Sequence, residues 1–279
     1  MNFRRLRMGL ATILGLSPRG FFIPYRYASQ ISPSDRRIYH HIAASFGAAT
    51  PDFAAILDIV DSYRAGLLAI TAEGEPPHPR WGQDWFPALD AAVLYALVRH
   101  HRPARIVEVG SGHSTRFIAR ALADEAFDAA VTAIDPAPRA TITDLPIDVI
   151  CEPIQCVDPA AIGPLEAGDF LIVDSSHILM PGSDVDIIVN DILPRLPAGV
   201  FVHIHDIFLP DPYPQHWAWR GYNEQVAIAA IVDGDRSYAP VFASHYARQV
   251  LGQRLAASVI NELPSPTGAF DSSLWLKKN

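Results

Sequence analysis

The sequence predicts an α/β three-layer sandwich: a mostly parallel, seven-stranded sheet covered by helices, preceded by a helical extension. Two observations carry this. From Arg105 onward, short β-branched runs alternate with stretches of helical periodicity. Right-handed crossovers then place the helices on both faces of a parallel sheet. The 279 residues, 49% hydrophobic, suffice for one large core.

In chain order, MNFRRLRMGLATILGLSPRGFF sets Arg4, Arg5 and Arg7 before an apolar run, Met8 to Leu16. It loosely resembles a signal peptide but lacks the small-x-small cleavage pattern. It reads first as a short amphipathic helix packed on the domain, and second as a weak contact with a membrane surface. SPSD before RRIYHHIAASF, and TPDF before AAILDIVDSYRAGLLAI, each place a capping residue and a proline ahead of a helix. EGEPPHPRWGQDW is a breaker-rich loop whose Trp81 and Trp85 are either packed or part of a lid. Residues 1–83 are thus expected as the extension and possible lid, and residues 84–279 as the main domain.

That domain opens with a helix, FPALDAAVLYALVRHH. RIVEVG, AAVTAID, IDVICEPI, DFLIVD and GVFVHIHD read as strands, with helices at STRFIARALADE and DVDIIVNDILPRL. A helix, EQVAIAAIVDG, then precedes the strands YAPVFASHY and SSLWLKK, with RQVLGQRLAASVINEL helical between them.

A net charge of −8 argues against nucleic acid as a partner, since there is no basic excess to neutralise phosphates. Cys151 and Cys156, close together on a strand or its edge, read as free thiols in a reducing, cytoplasmic setting. No run of about 18 apolar residues suggests a membrane span. The expected partner is a small molecule, and the sequence leaves room for a homo-oligomer.

EVGSGHST, Glu108 to Thr115, joins the first sheet strand to its helix. Gly110 allows a sharp turn, and Gly112 lets a ligand approach free N–H groups at the helix start. Asp135, ending the second strand, can hold both ribose hydroxyls of a nucleoside. A purely structural turn is the plainer alternative. The E-x-G-x-G turn with Asp135 resembles the class I S-adenosylmethionine-dependent methyltransferases, which are Rossmann-like. The resemblance implies that Glu108, Gly110, Ser111, Gly112, His113, Ser114 and Asp135 hold S-adenosylmethionine. It departs at Ser114, where many members carry glycine.

DFLIVDSSHILMPGSDVDIIVNDILPRLPAGVFVHIHDIFLPDPYP, with GSGHST and the later NEQ, resembles a largely uncharacterised bacterial branch of that family. Ligands bind outside the carboxyl ends of such strands, so Asp174, His177, His205 and Asp206 converge there as catalytic candidates. A hydroxyl acceptor keeps its proton at neutral pH, and a histidine or a divalent cation can relieve it of that proton. The expected reaction is O-methylation of a small hydroxyl acceptor such as a sugar or polyketide. The same residues are similar to the metal-dependent macrolide-sugar O-methyltransferases. That likeness implies His177 as base and a cation on Asp174, His205 and Asp206. His205, standing where those enzymes have an acid, suits a softer ion than magnesium.

His203, a strand step further back, reads as a core residue. Tyr213, His216 and Trp217 read as a cleft wall, and Asn223-Glu224-Gln225 as the start and cap of a helix. Two rival readings stand beside this one. The first is a mononuclear metal hydrolase or oxygenase using His203, His205 and Asp206. The second is a non-catalytic module that kept the nucleoside pocket.

Overall fold

The computed structural model describes residues 3–31, 38–138, 141–158, 163–234 and 237–279. The cap expected at SPSD lies outside the described residues. The chain divides into two compact units, Met1–Arg36 and Arg37–Asn279. The boundary therefore falls near 36, not at 83, because the helices after it are packed into the larger unit.

Within the first unit, α1 spans Phe3–Ile13 and buries none of its side chains. In the second, α2 (His40–Ser62) packs against the helix α4 (Ala88–His101) and a strand, β6 (Tyr238–Ala243). The helix start expected at Thr50 is absent: Pro51 lies inside α2. A proline there forfeits one backbone bond. Packing outweighs that loss, since Phe46 and Phe53 flank it, fully buried, against Tyr246 and Phe242. By length and composition α2 could also cross a membrane. Its apolar face, from Ile42 to Val60, is instead core. Between them lies the short α3 (Arg64–Leu68).

The sheet runs β3-β2-β1-β4-β5-β7-β6. The strands are β1 Arg105–Val109, β2 Ala130–Ile134, β3 Asp148–Ile150, β4 Phe170–Val173, β5 Phe201–Ile204, β6 and β7 Leu274–Lys278. The first five are mutually parallel, whereas β7 is antiparallel to both β5 and β6. This is a Rossmann-like arrangement with a mixed sheet. Strand order reverses between β1 and β4, so the crevice of such a fold opens there. Val109 pairs with Val173 and Val173 with Ile204, which brings the next residues, Gly110, Asp174 and His205, level across three strand ends.

Several elements are shorter than their apolar runs. β3 stops at Ile150, leaving Cys151 exposed beyond it and Cys156 exposed in a 3-10 turn, both as free thiols. The helix expected at DVDIIVNDILPRL is one α turn that widens to π over Ile188–Ile192 and tightens to 3-10 at Leu193–Arg195. Pro194 lacks the N–H to continue it. RQVLGQRLAASVINEL is likewise broken, into Ser244–Val250, Gly252–Ala256 and a 3-10 turn. Trp81 is buried against Phe117, while Trp85 is exposed.

Candidate active site

The first half of the site is the turn from β1 into α5 (His113–Glu125). Gly110 adopts φ +83°, and a Cβ on it would fall 1.8 Å from the carbonyl oxygen of Asp174. Only glycine lets the β1 and β4 turns approach this closely. Ser111 donates both its N–H and its hydroxyl to one oxygen of Asp135, each at 2.9 Å, and the N–H of Ala137 takes the other oxygen at 2.8 Å. The space beside Gly112 is open.

Beneath this surface, Glu108 is fully buried and accepts hydrogen bonds from the hydroxyls of Ser114 and Thr115. Burial pushes its carboxyl up to about 7, with the two hydroxyls opposing. Glu108 and Ser114 therefore brace the turn from below, and Gly110, Ser111, Gly112 and Asp135 form its accessible side. His113 is half-buried. Burial, with Arg116 and Arg80 nearby, brings it down to about 4, so it is neutral at pH 7.

The second half lies beyond β4 and β5. His177 Nδ1 is 2.8 Å from Glu224 Oε2, and its Nε2 is 3.3 Å from Asp174 Oδ1 and 3.4 Å from Asp206 Oδ2. His205 Nδ1 lies 3.6 Å from an oxygen of each aspartate, and its Nε2 is 3.4 Å from Asp90 Oδ2. His177 (φ +60°) and Asp206 (φ +56°) both hold left-handed backbone. Such non-glycine residues cost about 1–3 kcal/mol each and cluster at functional sites.

Residues 107–207, from inside β1 to just past Asp206, match the model of a family described as a methyltransferase domain. That segment is similar to a methyltransferase domain. No curated protein matches the chain significantly. Among solved structures the chain is similar to the Podospora anserina methyltransferase PaMTH1 bound to S-adenosylhomocysteine, at 14% identity and TM-score 0.45 over 93% of this chain and 99% of that one. It is also similar to an O-methyltransferase from Bacillus cereus in complex with S-adenosylhomocysteine, at 12% identity and TM-score 0.43 over 87% and 100%. A third is the Streptomyces achromogenes O-methyltransferase TomG, involved in tomaymycin synthesis, at 13% identity and TM-score 0.44 over 87% and 99%.

Among the described residues, no three His, Cys, Asp or Glu side chains form a group that could hold a metal. His177 Nε2 and His205 Nδ1 each lie 3.3–3.6 Å from an oxygen of both Asp174 and Asp206. Asp174, His177, His205 and Asp206 thus form one cluster of alternating carboxylates and imidazoles. His203 does not join them. It is fully buried, bonded through Nε2 to Ser273 Oγ at 2.7 Å, and packed on Phe86 and Trp275.

Two carboxylates beside these histidines escaped sequence reasoning. Glu224 was expected as part of a helix start. It does lie in the first turn of Glu224–Gly234, but its side chain turns inward to His177. Asp90 is fully buried in α4 and accepts the backbone N–H groups of Ser272 and Ser273. The signal for it was there: one acid in the otherwise apolar FPALDAAVLYALV, which burial permits only with partners. Around the cluster, Tyr222 packs on His177 at 4.6 Å between ring centroids. Trp217 follows Tyr222 at 6.0 Å, with Arg220 stacked 4.0 Å over Trp217. Tyr213 is buried behind them, and His216 stacks on Phe270 at the exposed side.

Burial disfavours charge on both site histidines, yet their surrounding carboxylates prevail. Asp174 and Glu224 hold His177 well above 6.5; Asp174 and Asp206 do the same for His205. Asp174 in turn is held well below the usual carboxylate range, against burial, by His205 and His177. His203, by contrast, is pushed down to about 3 by burial and by His205. In an NMR titration of the ligand-free protein, His177 and His205 should remain protonated at pH 7 and His203 neutral. The raised values contribute stability that is full below about 6.5 and lost as pH rises through their folded pKa. A neutral His177 at pH 6 would contradict this.

Proposed function

We propose that the enzyme transfers the methyl group of S-adenosylmethionine to a hydroxyl oxygen of a small acceptor, such as a sugar or a polyketide, bound over Asp174, His177 and Asp206. One observation carries the reading: His177 Nε2 faces two carboxylates at the ends of β4 and β5, with Nδ1 held by Glu224. S-adenosylmethionine supplies an electrophilic methyl on a sulfonium. Ser111, Gly112 and Asp135 hold its nucleoside at the open side of the β1 turn.

His177 keeps its proton in the free protein because carboxylates surround it. Its proton affinity falls toward the ordinary value once a sulfonium shares their negative charge. Nε2 then takes the hydroxyl proton as the O–CH3 bond forms and the S–CH3 bond breaks. Glu224 fixes the ring and balances the imidazolium that results. His205, pinned by Asp90, keeps Asp174 and Asp206 in place. The wall of Tyr222 and Trp217 offers apolar faces to the acceptor and excludes water.

S-adenosylhomocysteine should raise the melting temperature, because a ligand of the folded state stabilises it by mass action. Asp135→Ala should weaken that binding by about 1–3 kcal/mol, the cost of lost charge-assisted hydrogen bonds. Hydroxylated acceptors, tested beside their deoxy counterparts, then report the nucleophile. A wild type shifted by NAD and not by S-adenosylhomocysteine would overturn the cofactor site. Equal methylation of the deoxy compounds would overturn the oxygen nucleophile.

A further inference from the structure

The described residues before 32 have no evident task in catalysis, yet their composition is specific. α1 places Phe3, Leu6, Leu10 and Ile13 at i, i+3, i+7 and i+10, on one face, and all four are exposed. Beyond it, Phe21, Phe22 and Ile23 are each more than 60% exposed, and Arg26 stacks over Tyr27. Arg4, Arg5, Arg7, Arg19 and Arg26 stand in this stretch with no acidic residue, although the whole chain is net −8.

Apolar side chains exposed in such number mark an interaction site. The arginines ask for a negative partner, and the apolar stripe asks for one that also accepts side chains from a helix lying flat. Aromatic residues beside arginine are the types that settle at a membrane–water interface. An anionic lipid surface meets all three demands at once.

We propose that Phe3–Ile31 docks on an anionic bilayer, with the apolar stripe of α1 sunk below the headgroups and the arginines among them. The proposal is independent of the catalytic reading. It is tested by floating the full chain with vesicles of phosphatidylcholine containing about 30% phosphatidylglycerol, and with phosphatidylcholine alone. The chain should float with the anionic vesicles and less so as salt rises. The triple variant R4Q/R5Q/R7Q should lower partitioning roughly a hundred-fold, and L6D/L10D should abolish it. No side chain of α1 is buried, so both variants should melt with the wild type. Failure of the wild-type chain to float with anionic vesicles overturns the proposal. Equal binding to both vesicle types, unchanged in the arginine variant, does so too. Lipid-free self-association abolished by L6D/L10D, without flotation of the wild type, would assign the surface to a second copy of the chain instead.

Discussion

Gly110→Ala should cost on the order of 4 kcal/mol of folding stability, read as a lower urea midpoint at unchanged slope. Two terms add. The backbone at φ +83° disfavours any Cβ by about 1 kcal/mol or more. The new methyl carbon would also lie 1.8 Å from the Asp174 carbonyl oxygen and 2.8 Å from its carbon. That carbonyl cannot retreat freely, because Asp174 donates its N–H to Val109 at 2.8 Å and Gly110 donates to Ile134 at 2.9 Å. Moving it breaks the β1–β4 register on which the site depends. Gly112→Ala is the comparison: its Cβ meets nothing within 4 Å, so it lacks the clash and should cost clearly less than Gly110→Ala. Equal midpoints for the two variants would refute this account of the turn.

His177→Gln should lower kcat/KM by about 10³-fold, the range for a positioned acid–base group. Binding of S-adenosylhomocysteine should survive, because Ser111 and Asp135 hold each other without His177. Glu224→Gln should cost about 10–100-fold, as for other partners that orient a working imidazole. It should also move the pH profile. Glu224 raises the His177 pKa, and activity needs the deprotonated ring. Neutralising Glu224 therefore brings the rising limb to lower pH. A Glu224→Gln enzyme that is slower with an unmoved limb would leave Glu224 a merely structural role. A His177→Gln enzyme at wild-type rate would remove His177 from the chemistry.

The parallel strands were legible because their β-branched runs end abruptly in an acid or a glycine. Glu108, Asp135, Asp174 and Asp206 therefore pointed to the strand ends without any coordinates. What sequence could not supply was the direction of each side chain. Glu108 sits inside its strand and turns under the loop, bonded to hydroxyls six and seven residues later. Asp206 and His177 reach each other only through left-handed backbone, which neither residue type announces. Glu224 looked like an ordinary acid in a first helical turn, where its charge is favourable regardless of what it touches. The pairing of His177 and His205 with carboxylates depends on distances of 3.3–3.6 Å across two strands. Pro51 misled for a different reason: burial of Phe46 and Phe53 outweighed a local rule.

The insertion of β7 between β5 and β6 sets a clock on the newborn polypeptide. A ribosome that has released Asp206 has already delivered Asp90, Asp174, His177 and His205. Ser272 and Ser273, whose N–H groups clamp Asp90 and whose hydroxyls bond Asp206 and His203, are still to be made. Until Leu274–Lys278 emerges, the backbone of β5 also lacks its antiparallel neighbour and presents an open edge. Such edges recruit foreign strands. Every truncated translation product thus combines an unassembled site with an adhesive flank, so a stalled chain is idle and conspicuous to chaperones at the same moment.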